Sequence, residues 1–331
     1  MIFVTGGTGF IGAHFLYHLL NKGEEVLALR RHSSDVNYVK KVFSTYTNNY
    51  KPLLDKLTWA EGDIEDYYLL LRHLDQVNVI FHLAALVSFD PGDRYKMLAT
   101  NVRGTSNIVN AALEKGVPHL VYLSSVGALD PVKKEDYTTE SNFANNPKRA
   151  SRYSASKFKS ELVVWRGIEE GLNALIVNPS VVLGPAIPKK GTGKILTNIQ
   201  KGLRYYPAGI TGFVDVRDVC KATLSLYNKQ IFNERFILSE GNYSYKKILQ
   251  LLSNEYGNNP PEKILSSKLT SLAWKLEWLR SKIFGGKPRI TKEIHNSAHN
   301  QVYFSNEKVK ERLQYEFIPI EQTIKDTVAY S

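Results

Sequence analysis

Apolar runs of strand length recur through the first half of the chain, at residues 2–5, 25–29, 57–60, 79–83, 120–124 and 174–178. Between them lie stretches of helical pattern, at residues 11–21, 66–74, 97–115 and 154–170. Strands alternating with helices of this length predict βαβ units, and so a parallel sheet covered by helices on both faces. Right-handed crossovers then make the sheet doubly wound.

The pattern changes after Pro179. Pro185, Pro188 and the glycines of KKGTGK mark an irregular connection, and residues 213–216 and 234–239 read as short strands rejoining the sheet. From about residue 243 the chain reads as mostly helical, interrupted by GNNPP and FGGKP. The expected architecture is α/β: a doubly wound parallel sheet of Rossmann type over residues 1–180, with 210–240 returning to it. The rest of 181–331 forms a smaller, mostly helical C-terminal substrate region, a division that 331 residues accommodate.

Chemistry enters at the first strand–helix junction. VTGGTGFIG places Gly6, Gly9 and Gly12 directly after a strand and at the opening of a helix, with Phe10 and Ile11 in the first turn. Gly6 permits a tight turn, Gly9 lets backbone approach a pyrophosphate, and Gly12 lets helix and strand pack closely. The helix N-terminus offers free N–H groups and partial positive charge to the phosphates. At the end of the second strand an acid would favour NAD(H) by accepting from the ribose hydroxyls. LALRRHSSD instead has Arg30 and Arg31 there, whose guanidinium groups suit a 2′-phosphate. The reading is NADP(H), with NAD(H) open as the lesser cofactor; two solvated surface arginines would carry no selectivity.

Tyr153 and Lys157 stand four apart in YSASK, on one face of a predicted helix. Tyrosine titrates near pH ~10, too high for proton transfer at neutral pH, and a neighbouring ammonium would favour the phenolate. The strand LVYLSS ends in Ser124 and Ser125, where the carboxyl ends of strands form the ligand crevice of an open α/β sheet. A serine hydroxyl there can bond a substrate carbonyl oxygen.

TGGTGFIG, GDIED, FHLAA, NVRGT, YLSS, YSASK and FVDVRDV, in that order from residue 4 to residue 219, resemble the extended short-chain dehydrogenase/reductases, in the NAD-dependent epimerase/dehydratase superfamily. The resemblance implies that Tyr153 is the general acid/base, that Lys157 binds the nicotinamide ribose and depresses the tyrosine pKa, and that Ser125 orients the substrate oxygen, with Ser124 the alternative. It further implies that Asp63 and Ile64 flank the adenine, that Ala84 and Ala85 line the cofactor, and that Pro179 and Ser180 lie beside the nicotinamide. Asn101 and His82 read as structural.

Within the superfamily, 4,6-dehydratases carry an Asp-Glu pair after the catalytic hydroxyl residue, whereas Val126 and Gly127 follow Ser125. Sugar-nucleotide epimerases often read Arg-Pro-x-Asn-x-Tyr-Gly-Pro where this chain has NPSVVLGP. That form resembles the dihydroflavonol-reductase and hydroxysteroid-dehydrogenase branch. The leading expectation is an enzyme reducing a ketone or aldehyde. A nucleotide-sugar epimerase and a non-catalytic dinucleotide sensor are the alternatives.

Composition adds exclusions. Cys220 is the single cysteine, which removes an internal disulfide and any cysteine-based metal site, and no metal is expected. The net charge of +11 is spread without a basic block, which favours a solvated surface over nucleic-acid binding. With no signal-like start and no spanning segment, a cytoplasmic protein acting on a small molecule is expected; the resemblance implies a homodimer formed through helices 97–115 and 154–170. The segment 268–284, rich in Leu and Trp and carrying lysines and Arg280, is read as a helix packed over the substrate pocket rather than one lying on a membrane.

Overall fold

The computed structural model describes residues 1–88, 90–132, 136–143, 151–189, 191–284 and 291–331. Lys190 of KKGTGK and residues 285–288 of FGGKP lie outside the described residues, as do the side chains of Leu269, Ile283 and Phe284.

The strands that build the molecule are β1 (Ile2–Thr5), β2 (Val26–Arg30), β3 (Leu57–Glu61), β4 (Val79–His82), β5 (His119–Leu123), β6 (Asn173–Pro179), β7 (Val181–Leu183), β8 (Ile210–Asp215), β9 (Glu234–Leu238) and β10 (Gly241–Ser244). Seven of them form one parallel sheet in the order β9-β6-β5-β4-β1-β2-β3. The chain winds outward from β1 to β3, then crosses back to β4 and continues the other way. The order reverses between β1 and β4, and at such a switch point a doubly wound sheet takes its ligand, beyond the carboxyl ends of the strands.

Side chains alternate across each strand, so Ile2 and Val4 face one core while Phe3 faces the other. On the first face, Phe15, Leu16, Leu19 and Leu20 of α1 (Phe10–Asn21) pack with Phe81 of the sheet. On the second, Ile108, Val109 and Ala112 of α2 (Gly104–Glu114) and Val164 of α3 (Arg152–Glu169) pack on Phe3, Ile80, Leu120 and Ile176. Each fully buried side chain of this size contributes about 1.5–3 kcal/mol of transfer free energy. Ser151 caps α3 by accepting the N–H of Ser154 at 3.0 Å, which starts the helix at Arg152, one residue before Tyr153.

The helix expected over 97–115 is composite: α-helical at Arg94–Met97, π-helical at Leu98–Arg103, then α2. The wide turn carries the buried Asn101. Its Oδ1 accepts the Leu86 N–H at 2.7 Å, and its Nδ2 donates to Leu86 O and Ser156 Oγ, both at 3.0 Å. One side chain thus ties the loop after β4 to the helix of Tyr153.

The strand expected at 213–216 does not rejoin the main sheet. It is β8, which pairs with β7 in parallel and β10 in antiparallel fashion in a separate three-stranded sheet. Phe213 explains the difference, because it packs with Leu183, Ile187, Ile248 and Leu249 in a second core. From the 210–240 stretch Val214 of β8, α4 (Val216–Asn228), packed on α1, and β9 return to the first core, and β9 alone joins the main sheet.

The segment at 268–284 forms α5 (Ser267–Phe284), and its burial differs from expectation. Leu272, Leu276, Trp278 and Leu279 are exposed. The opposite side of the helix makes the contact: Thr270 is buried and bonds His295 and His299 of α6 (Lys292–His299).

Asn101→Ala strands the Leu86 N–H and removes a partner of Ser156. Equilibrium urea unfolding is expected to show a loss of about 1–3 kcal/mol. An unchanged midpoint with unchanged slope would show that the link carries no stability.

Candidate active site

Gly6 leaves β1 with φ +75°, and a Cβ there would lie 2.6 Å from the Ala84 nitrogen. A Cβ on Gly12 would collide with the Gly6 carbonyl oxygen. These two glycines let the first turn of α1 sit against the ends of β1 and β4. Gly9 is exposed at the helix start, and no side chain caps α1 there and no acid occupies its first turn. Its leading N–H groups thus have no side-chain acceptor, the arrangement by which a helix start can take an anion. Phe10 and Ile11 are half-buried beside it, as is Ala84, whose backbone packs against Gly6, while Ala85 is exposed. An uncapped helix behind a glycine-rich loop fits a dinucleotide pyrophosphate.

Arg30 and Arg31 differ in their surroundings. The Arg30 Nη2 pairs with Glu61 Oε2 at 3.2 Å, and its buried Nε has no hydrogen-bond partner. Arg31 is exposed. Glu61 also meets His32 Nδ1 at 3.0 Å. Sequence reading overlooked Glu61, although it ends β3 directly opposite Arg30 in the sheet register. Beyond it, Asp63 accepts the Glu65 N–H at 3.1 Å, and Ile64 is buried.

Ser125 and Tyr153 come together. Tyr153, on the first turn of α3, is hydrogen-bonded to Ser125, which favours the phenolate, but burial outweighs this and pushes its pKa above the usual phenol value. Ser125 Oγ also accepts the Gly127 N–H at 3.1 Å. Lys157 lies one turn further on, buried, with its ammonium bonded to the end of β5. Its Nζ donates to Leu123 O at 2.7 Å and to Tyr122 Oη at 3.3 Å, over the Tyr122 ring. Burial brings its pKa down to about 7, with Glu161 opposing the change. A phenol pKa depressed by Lys157, as expected from the spacing, is therefore not the state of this structure; both groups shift towards their neutral forms because both are desolvated.

Ser124, the next residue back, has different partners from Ser125. Its buried hydroxyl donates to Glu161 Oε2 at 2.8 Å. Glu161 also receives Asn178 Nδ2 at 3.1 Å and pairs with Arg235 Nη1 at 3.0 Å, all of them buried. Asn178 donates to Ser125 O at 3.0 Å as well. Sequence reading missed Glu161 and Arg235. The signal was present: Tyr153, Lys157 and Glu161 repeat every four residues along one helix face, and Arg235 and Asn178 interrupt apolar strands. Pro179 and Ser180 are buried at the end of β6, with the Ser180 N–H donating to Leu238 O at 3.0 Å.

His82 is buried between Thr5 Oγ1 at 2.7 Å and Thr105 Oγ1 at 3.0 Å. Burial, helped by the nearby Lys157, lowers its pKa to about 3, so it is a neutral structural link. Among the described residues no cluster of three or more His, Cys, Asp or Glu could hold a metal.

The sequence profile of the NAD dependent epimerase/dehydratase family matches residues 2–236. A Synechocystis protein provisionally named a dihydroflavonol 4-reductase is 30% identical over 98% of this chain and 93% of its own length. Cinnamoyl-CoA reductase 1 of Petunia hybrida is 27% identical over 99% of this chain and 91% of its length. The crystal structure of gox2253 superposes with TM-score 0.83 at 30% identity, covering 100% of this chain and 97% of that one. The family profile spans the glycine loop and the Ser125–Tyr153 pair, and the two relatives and the solved structure cover the helical C-terminal part as well. The chain is an enzyme of the NAD dependent epimerase/dehydratase family, in its extended short-chain dehydrogenase/reductase class.

Proposed function

We propose that the protein is an NADP(H)-dependent reductase of a ketone or aldehyde, working through Ser125, Tyr153 and Lys157. The observation that carries this reading is what stands beside the Ser125–Tyr153 pair. A Cβ on Gly127 would lie 3.1 Å from Ser154 Oγ, 3.5 Å from Ser125 Oγ and 3.7 Å from Tyr153 Cε1. Position 127 therefore faces the reacting groups, and glycine leaves that space without an acid for eliminating water. The named reductases among the relatives support the same direction.

A bound nicotinamide supplies the hydride. The protein's own residues handle the oxygen. The Ser125 hydroxyl donates to the carbonyl oxygen and fixes its place beside Tyr153. A phenol is protonated at neutral pH and burial raises its pKa further, so Tyr153 is ready to deliver its proton to the developing alkoxide. Lys157 lies beneath, where its charged form stabilises the phenolate left behind. Glu161 and Asn178 hold the two serines of the strand end in place, so Ser125 meets the oxygen without reorganising.

Arg30 and Arg31 are assigned to the 2′-phosphate. Glu61 competes for Arg30, so Arg31 provides the unopposed charge and Glu61 moderates the preference.

Three outcomes check this reading. NADPH oxidation is expected with members of a ketone and aldehyde panel, each turnover giving one alcohol; epimerisation of a nucleotide sugar without net NADPH consumption would overturn it. Tyr153→Phe is expected to bind NADPH normally and to lose about 10²–10⁴-fold in kcat, the contribution of a positioned acid; near-normal turnover would place the acid elsewhere. Calorimetric titration is expected to show NADPH binding more tightly than NADH. Arg31→Ala should narrow that ratio by roughly tenfold or more, for a lost charge-assisted contact of about 1.5–3 kcal/mol, and Glu61→Gln should widen it. Equal affinities in the unaltered protein would remove the NADP(H) assignment.

A further inference from the structure

Helix α5 uses its two sides differently. Inward, the buried Thr270 hydroxyl bonds His295 Nδ1 at 2.7 Å and His299 Nε2 at 2.9 Å, which fastens α5 to α6. Outward, Leu272, Leu276 and Leu279 follow at steps of four and three residues and so share one stripe. They remain 57%, 58% and 47% exposed. Scattered single leucines on a surface need no account, but three in one stripe do.

The flanks of the stripe indicate what covers it. Lys268 and Lys275, seven residues apart and both exposed, border it on one side. Arg280 borders it on the other, paired with Glu277 at 3.0 Å. Glu277 is the only carboxylate of α5 and sits at a half-buried position, off the leucine arc.

We propose that this face docks on an anionic lipid surface, with α5 lying flat, its leucines in the headgroup–acyl boundary and its lysines on the lipid phosphates. Apolar stripes with basic borders are what such surfaces bind. Insertion across the bilayer is not involved, since among the described residues no helix is long and apolar enough to span. A second copy fits less well: a two-fold contact over the leucines would bring Lys268 and Lys275 towards their own counterparts, in a chain of net charge +11. The placement has a consequence for access. α6, to which α5 is fastened, accepts the Arg152 N–H on Glu293 Oε1 at 3.1 Å, one residue before Tyr153. Docking would hold the site close to where apolar compounds concentrate.

The test needs no turnover, so it stands apart from the reaction assigned above. The full chain is sedimented with vesicles of phosphatidylcholine alone and of phosphatidylcholine mixed with equimolar phosphatidylglycerol. Binding is expected only to the mixed vesicles, weakening as salt rises. The triple variant Leu272→Ser, Leu276→Ser, Leu279→Ser keeps every charge, and since these leucines are exposed its melting midpoint should match the unaltered protein. Its vesicle affinity is expected to fall about tenfold or more. Lys268→Glu with Lys275→Glu should produce a comparable loss. Undiminished binding by the leucine variant would mean that general positive charge, not this face, meets the lipid. Absence of binding to either vesicle would also overturn the proposal. So would a concentration-dependent dimer that the leucine variant abolishes, which would give the face to a second copy.

Discussion

The site depends on keeping an ammonium group dry. Lys157 is buried beneath the end of β5, held by the Leu123 carbonyl and the Tyr122 hydroxyl. Removing a charge from water is costly unless it is paired or gives up its proton, and both responses are visible here. Burial draws the Lys157 pKa down to about 7, and the carboxylate of Glu161, one turn along α3, resists that change. Glu161 is itself buried, and Arg235, Asn178 and Ser124 surround it with hydrogen bonds. A single lysine therefore brings with it a polar network that reaches β5, β6 and β9, and through Asn178 fixes the backbone at Ser125.

Most of the fold was legible because it follows from local rules. The six strands expected in the first 180 residues match β1–β6 to within a residue or two, since short apolar runs between helical stretches leave few other arrangements. Legibility ended where burial depends on distant partners. Nothing local in FVDV tells that Phe213 joins a second core with Ile248 and Leu249 instead of the main sheet. Likewise the composition of α5 allows either face to be buried, and only Thr270 meeting His295 and His299 decides it.

The site divides in the same manner. Gly6, Gly12, Tyr153 and Lys157 stand in motifs whose spacing alone implies their geometry. The partners that set their electrostatics are far away in sequence. Glu61 faces Arg30 only through the β2–β3 register, and Arg235 meets Glu161 across the sheet. The sequence spacing correctly paired Tyr153 with Lys157 on one helix but not the direction of the tyrosine's pKa, because desolvation is a property of the folded surroundings.

The central claim, that burial and Glu161 together poise Lys157, is tested most directly by titrating that side chain. Carbon-13 NMR of the ligand-free protein, with lysines labelled at Cε and Lys157→Arg used for assignment, would follow the ammonium as pH changes. The account predicts a midpoint near 7 in the unaltered chain, and a lower one in Glu161→Gln, where the opposing negative charge is gone. A midpoint at the ordinary lysine value, about 10.4, would contradict it, and so would a midpoint unmoved by Glu161→Gln.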